Sequence, residues 1–396
     1  MSIAKLTAAD LDWIHITILF GTPLIALYGA LTTELTTPTM WWAIAFYFYT
    51  GLGITAGYHR YWSHRSYDAT RIWQFIWLAA GTGAMEGSVK WWGRGHRIHH
   101  RYTDTDKDPY NAKNGFFWSH IGWMIVKQKK NATVDISDFN SDPWIRFQHK
   151  YYLFLAVFMS FVLPTLVAGL GWGDWAGGFF YAGVARLVFV HHATFCVNSL
   201  AHYIGDHTFD DKRTPKDHYL TALVTMGEGY HNFHHEFPAD YRNAIRIHQY
   251  DPTKWVIYLG SLVGLTYNLK MFPHNEIEKG RIMMQQKKID EVKARLDYGV
   301  PLEQLPILTF AEVKAKISET GKQLLIISDV VYDVSQFMED HPGGKGFLRA
   351  SVGRDVTVSF NGGVYDHANA ARNLMQSMRY ARLDGSVPAA AVATED

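Results

Sequence analysis

Apolar residues in this chain come in long blocks. Trp13 to Leu31 holds one histidine and no formal charge, and at about 1.5 Å per residue such a helix crosses about 30 Å of hydrocarbon. Trp41 to Tyr58 is a second block, Tyr151 to Leu170 a third, and Trp175 to about Ala201 a fourth. The connections Thr32 to Met40 and Gly171 to Asp174 carry no Lys or Arg, whereas the segments after Tyr58 and after His202 are rich in both. The positive-inside tendency therefore predicts two helical hairpins with non-cytosolic tips and cytosolic termini. Trp41, Trp42, Trp172 and Trp175 flank those tips, as an aromatic belt requires. The run Ile72 to Ala84 is short and interrupted by Gly81 and Gly83, so it reads as an interfacial or buried helix, and Trp255 to Leu269 reads the same way.

Beyond Pro273 the pattern changes. Residues 273–300 are charged and helix-favouring, which predicts a linker between a membrane domain, 1–272, and a small soluble domain, 301–385, with a disordered tail, 386–396. With 38 Lys and Arg against 37 Asp and Glu the net charge is +1, so the chain as a whole has no nucleic-acid footprint. Its one cysteine, Cys196, excludes an internal disulfide framework and thiolate metal clusters.

The chemistry lies in histidine. His96, His99 and His100 fall three and four apart, the spacing that puts three imidazoles on one side of a helix. The same spacing recurs at His231, His234 and His235, with looser relatives at His59 and His64 and at Asn198 and His202. The predicted topology puts all four boxes on the cytosolic side. Nine imidazoles exceed what one tetrahedral site uses, so two metals with four or five ligands each are expected, and Asn198 reaches a metal directly or through water. Imidazole alone does not choose among iron, zinc, copper and nickel. Redox metal at the cytosolic mouth of a membrane domain suits a long apolar substrate; structural zinc needs no membrane. His191 and His192 lie about 15 Å up the helix from His202, too far to share its metal.

The boxes H-R-x-W-S-H, H-R-x-H-H, N-S-x-A-H and H-N-x-H-H resemble, over residues 10 to 275, the membrane fatty acyl-CoA desaturases of the delta-9 branch. The resemblance implies a di-iron centre that activates O2 and takes two hydrogens from a saturated acyl-CoA, leaving a cis double bond. The implied ligands are His59, His64, His96, His99, His100, His202, His231, His234 and His235, with Asn198 near the second iron. It further implies an acyl tunnel with Trp92, Thr194 and Phe195 beside its bend and Tyr47 and Gly51 near its closed end. Phe195 stands where the animal enzymes have Trp. Arg94 and Lys127 match basic contacts for coenzyme A, while Gly95 and Gln128 replace charged residues of the animal pattern. Arg186 falls inside the fourth span, where a charge is costly and normally paired.

In the soluble domain, His341-Pro342-Gly343-Gly344 and His367 resemble cytochrome b5, together with the strand and turn Val331 to Ser335. The implied cofactor is haem b between two imidazoles, which passes electrons and leaves no place for O2. Fusion to the membrane domain raises the local concentration of the electron donor to roughly millimolar. This C-terminal placement is the fungal arrangement. The fold expected is an all-α membrane domain, four transmembrane helices with a cytosolic helical cap, followed by a small α+β cytochrome b5-like domain. The implied partners are acyl-CoA, O2, an NADH-cytochrome b5 reductase and the bilayer of the endoplasmic reticulum. Two competing readings are a b5-fused membrane fatty acid hydroxylase and a membrane-anchored haem carrier with structural zinc.

Overall fold

The computed structural model describes residues 7–128, 132–385, 387–388 and 391–392. It divides into two compact units, 1–287 and 288–396.

The first unit is helical. Helix α1, Trp13–Thr32, starts where the Asp12 side chain accepts a hydrogen bond from the His15 amide and exposes nearly all of its apolar surface, as a lipid-facing span does. Tyr152–Trp172 and Trp175–Tyr203 are likewise long and apolar enough to cross a membrane. The second expected span exists as a helix of different character. Its α-helical part, α2, covers Thr37–Leu52 and runs on without a break into wider π-type turns over Gly53–Ser63, which are buried apart from Tyr61. The wide turns carry His59 and Arg60 inward, so this helix forms a wall of the site, and among the described residues it is not one of the three long and apolar enough to cross a membrane. Gly53 permits this packing: a Cβ there would overlap the backbone of Ala80 and Gly81 on helix α3, Arg71–Gly83.

Helix α3 buries Trp73, Trp77 and Leu78, in line with the expected buried helix. The segment expected to be helical over Trp255 to Leu269 splits into a helix Pro252–Leu262 and a short strand, β2, Thr266–Tyr267, antiparallel to β1, Asp68–Ala69. Gly264, with φ of 72°, turns the chain between them. The two hairpin tips meet: Asp174 of the second accepts from the hydroxyls of Thr36 and Thr39 of the first, and Trp172 donates to Thr39 at 2.9 Å. His59 and His202 lie at the opposite ends of those helices.

Arg186 finds its partners in main-chain oxygen. Its guanidinium donates to the carbonyls of Gly83 (2.8 Å), Ser160 (2.8 Å) and Ala182 (3.1 Å) and lies 4.9 Å over the Phe46 ring. π-type turns at Phe158–Val162 and the end of α3 leave those carbonyls available. The predicted linker is a helix, His274–Lys293, whose Ile277 packs among Phe209, Phe233 and Phe237 of the first unit.

The second unit is built on a four-stranded sheet in the order β3 (Ile307–Thr309), β6 (Arg379–Asp384), β5 (Val330–Asp333), β4 (Leu324–Ile327). Alternation along β4 sends Leu324 and Ile326 into one core and Leu325 and Ile327 into another. Short helices Lys345–Ser351, Thr357–Phe360 and Asn369–Gln376 follow the His-Pro-Gly-Gly turn. Most of the predicted tail lies outside the described residues; Ala391 accepts a hydrogen bond from Asp355.

Candidate metal centre

Helix α4, Val89–Tyr102, begins at Ser88, whose hydroxyl accepts from the Trp91 amide at 3.2 Å. It delivers His96, His99 and His100 to the same place as His59 and His64, His202 at the end of the fourth long helix, and the helix His231–Glu236. Nine imidazoles sort into two groups. His59, His64, His96, His100 and His234 form one; His99, His202, His231 and His235 form the other; within each the ligand atoms lie within 4.8 Å of one another. Adjacent residues on a helix differ by about 100° in direction, so His99 parts from His100, and His234 from His235. Residues four apart stay together: His96 with His100, His231 with His235.

The ring nitrogens crowd as ligands do. Nε2 of His59 lies 3.0 Å from that of His234, His64 is 2.7 Å from His96, and His235 is 3.1 Å from His231. Burial first, and the neighbouring imidazoles second, push His64, His96, His100, His231, His234 and His235 well below the ordinary range, which keeps them neutral with a lone pair to give. Nε2 of His202 is buried with no hydrogen-bond partner. This donor set fits two metal ions.

Each group is anchored from outside. In the five-histidine group, His59 Nδ1 lies 3.1 Å from Glu228, which also takes a 2.8 Å bond from Arg60. Arg60, fully buried, spends its other bonds on Asp251 and the Tyr241 carbonyl. Burial would raise the Glu228 carboxyl, but Arg60 and His59 outweigh it and hold it at about 2. In the four-histidine group, His99 Nδ1 lies 2.9 Å from Asp108, and His202 Nδ1 lies 2.7 Å from the Thr214 hydroxyl, which donates to Asp104 at 2.6 Å. A carboxylate on Nδ1 fixes the tautomer that points the Nε2 lone pair at a metal. None of Glu228, Asp108, Asp104 or Thr214 stands out in the sequence; single acids at scattered separations have no periodicity.

A cavity of about 1910 Å³ opens beside the centre. His59, His96, His99, His231 and Asn198 form part of its wall, and so do Gly51, Trp92, Arg94, Lys127, Thr194 and Phe195. Trp92 stacks on His96 at 4.9 Å. Tyr47 is not among the lining residues: it lies one turn before Gly51, and the Met226 thioether covers the spot where a Gly51 side chain would be. His191 is bonded to the Ala84 carbonyl and His192 to His120, away from both groups.

In the second unit His341 and His367 face each other with ring centroids 6.4 Å apart, room for one metal atom between them. Nδ1 of His341 lies 3.2 Å from the Gly344 carbonyl and Nδ1 of His367 3.1 Å from that of Phe360, so both Nε2 lone pairs are free. A side chain on Gly343 would press into the His341 ring. Exposed Phe347, Val358, Val364, Tyr365 and Leu374 lie on the helices and loops around the pair, apolar surface that a planar haem would cover.

A family model described as fatty acid desaturase matches residues 36–258, and one described as cytochrome b5-like heme/steroid binding domain matches 309–384. The chain is 54% identical over 379 residues to the probable acyl-CoA desaturase of Schizosaccharomyces pombe, covering 95% of this chain and 78% of that one. It is 49% identical over 375 residues to acyl-CoA desaturase 1 of Saccharomyces cerevisiae, with 94% and 73% covered. To stearoyl-CoA desaturase 5 of Bos taurus it is 38% identical over 277 residues, 68% of this chain and 82% of the relative.

Proposed function

We propose, for a chain that belongs to the fatty acid desaturase family and ends in a cytochrome b5-like domain, that it inserts a cis double bond at carbon 9 of saturated C16 or C18 acyl-CoA. The observation that carries this reading is the sorting of nine buried histidines into two adjoining groups on the wall of one large cavity. The nine histidines would hold two iron ions, one in the group of five and one in the group of four, with Asn198 close by on the cavity wall. Once bound, the iron pair supplies with dioxygen the oxidant that unactivated C–H bonds demand.

The chain's own residues do the rest. Glu228 and Asp108 hold His59 and His99 in the ligating tautomer. Trp92, Thr194 and Phe195 shape the cavity beside the centre, and Gly51 and Met226 line it too. Arg94 and Lys127 hold the phosphates of coenzyme A. His341 and His367 would hold haem b, whose chemistry would be one-electron transfer from an NADH-dependent reductase. The site of action is the endoplasmic reticulum membrane, with both termini and all four boxes cytosolic.

The test is turnover of an isotope-labelled saturated acyl-CoA with NADH, reductase and O2. A product two mass units lighter with the double bond at carbon 9 is expected, from protein holding two non-haem iron per chain. A gain of one oxygen would make the chain a hydroxylase, and two zinc with no iron would make it a haem carrier. His99→Ala abolishes turnover and leaves the haem spectrum intact.

A further inference from the structure

Desaturation takes two protons as well as two electrons from outside, because one O2 becomes two waters while the acyl chain supplies only two of the four hydrogens. The centre that uses them is walled in. Among the carboxyl groups close to it, Glu228 is ionised between Arg60 and His59, and Asp108 is committed to His99. Glu86 differs from both.

Glu86 stands in the turn between α3 and α4, flanked by Met85 at φ of 55° and Gly87 at φ of 99°, and it lines the cavity. Its Oε2 accepts from the Trp92 indole at 3.1 Å, and the Thr194 side chain lies beside the same carboxyl, where it acts against the effect of burial. Its Oε1 is buried with no hydrogen-bond partner. The titratable groups nearest it are Tyr58, Tyr152 and His191, the last held by the Ala84 carbonyl; His149 is bonded to Ser88. Among the described residues no Lys or Arg compensates a charge on Glu86, and burial pushes its carboxyl up to about 8. Thr194 and Asn198 lie four apart on the fourth long helix, on one face, and both line the cavity. Their Cβ atoms are about 5–6 Å apart at that spacing, a gap one water spans.

We propose that Glu86 is the proton store of the site, delivering a proton through the Thr194 hydroxyl and a water held by Asn198 to the oxygen reduced at the histidine centre. The proposal rests on the desaturase reading. In the step, the carboxyl O–H bond breaks and an O–H bond of product water forms, the electrons coming from the haem domain. The carboxylate left behind is reprotonated from solvent through the cavity mouth. Glu86 acts through the two polar residues and is a positioning and proton-holding group; it does not touch a metal ligand.

The variant Glu86→Gln keeps an acceptor for Trp92 and removes the exchangeable proton. Full-length protein carrying iron and haem is assayed with stearoyl-CoA across pH, and carboxyl infrared absorption is recorded on the same protein and on protein stripped of iron. In the wild type a protonated-carboxyl band is expected at neutral pH, fading as pH passes about 8, and kcat falls along the same limb. In Glu86→Gln the band is missing with or without iron, kcat at neutral pH is at least about tenfold lower with KM unchanged, and the alkaline limb is gone. Wild-type kcat with the limb intact in Glu86→Gln overturns the proposal and leaves the desaturase reading standing. So does a wild type without the band. No unsaturated product from the wild type overturns both.

Discussion

Substitutions at Gly51 and Met226, which both line the cavity, are expected to change the length of acyl chain that it takes. Gly51 lies eight residues before His59, at most about 12 Å along the helix. An extended alkyl chain advances about 1.25 Å per carbon, from a 1.52 Å bond at about 111°. That distance holds about nine carbons beyond the centre, the distal half of a C18 chain. The Met226 side chain, 3% exposed, fills the place of a Gly51 Cβ, and both residues line the cavity. Gly51→Ala pushes the thioether toward the centre and removes room for one or two carbons. At about 0.8 kcal/mol per buried methylene, excluding two costs about 1.6 kcal/mol, roughly a fifteenfold fall in kcat/KM for C18 relative to C16. Met226→Ala acts in the other direction. It opens space toward Tyr47, one turn or about 5.4 Å further on, and is expected to raise turnover of C20 and C22 chains relative to the wild type. The assay is competition among C14 to C22 acyl-CoAs with products resolved by gas chromatography, alongside a thermal melt because truncating a buried Met costs about 2–5 kcal/mol of stability. Chain-length profiles of both variants superimposable on that of the wild type would refute the reasoning.

Three further outcomes follow from the same geometry. Asp108→Asn and Glu228→Gln each loosen one group of histidines, so under limiting iron each binds about one iron per chain in place of two, a loss of roughly 10–100-fold in affinity at one site; full occupancy in both would deny those carboxylates their role. His341→Ala removes haem absorbance and ends turnover with reductase alone, while added cytochrome b5 restores part of it. Burial raises Asp138, but Arg97 and Arg65 outweigh it and hold the carboxyl at about 2, below its ordinary 3.8. Its pairing therefore stabilises the fold at neutral pH and is lost as pH falls from the ordinary carboxylate range toward 2, so Asp138→Asn flattens that limb of acid unfolding followed by circular dichroism.

Periodicity and spacing were enough to read the apolar helices, the four histidine boxes and the haem pair, because each is written in short windows. A charge-free run of nineteen residues has few places to go other than a bilayer, and H-x-x-H-H has meaning within two helical turns. The assignment of His99 and His100 to different groups was not in the sequence, since it depends on where α4 meets the helix His231–Glu236, more than a hundred residues away. The wide turns over Gly53–Ser63 that bring Arg60 inward, the carboxylates behind His59 and His99, the carbonyl cradle of Arg186 and the Met226 side chain over Gly51 are all long-range contacts between single residues. Local pattern determined which side chains carry the chemistry; only tertiary packing decided which group each histidine joins, what orients it and which residues line the cavity beside it.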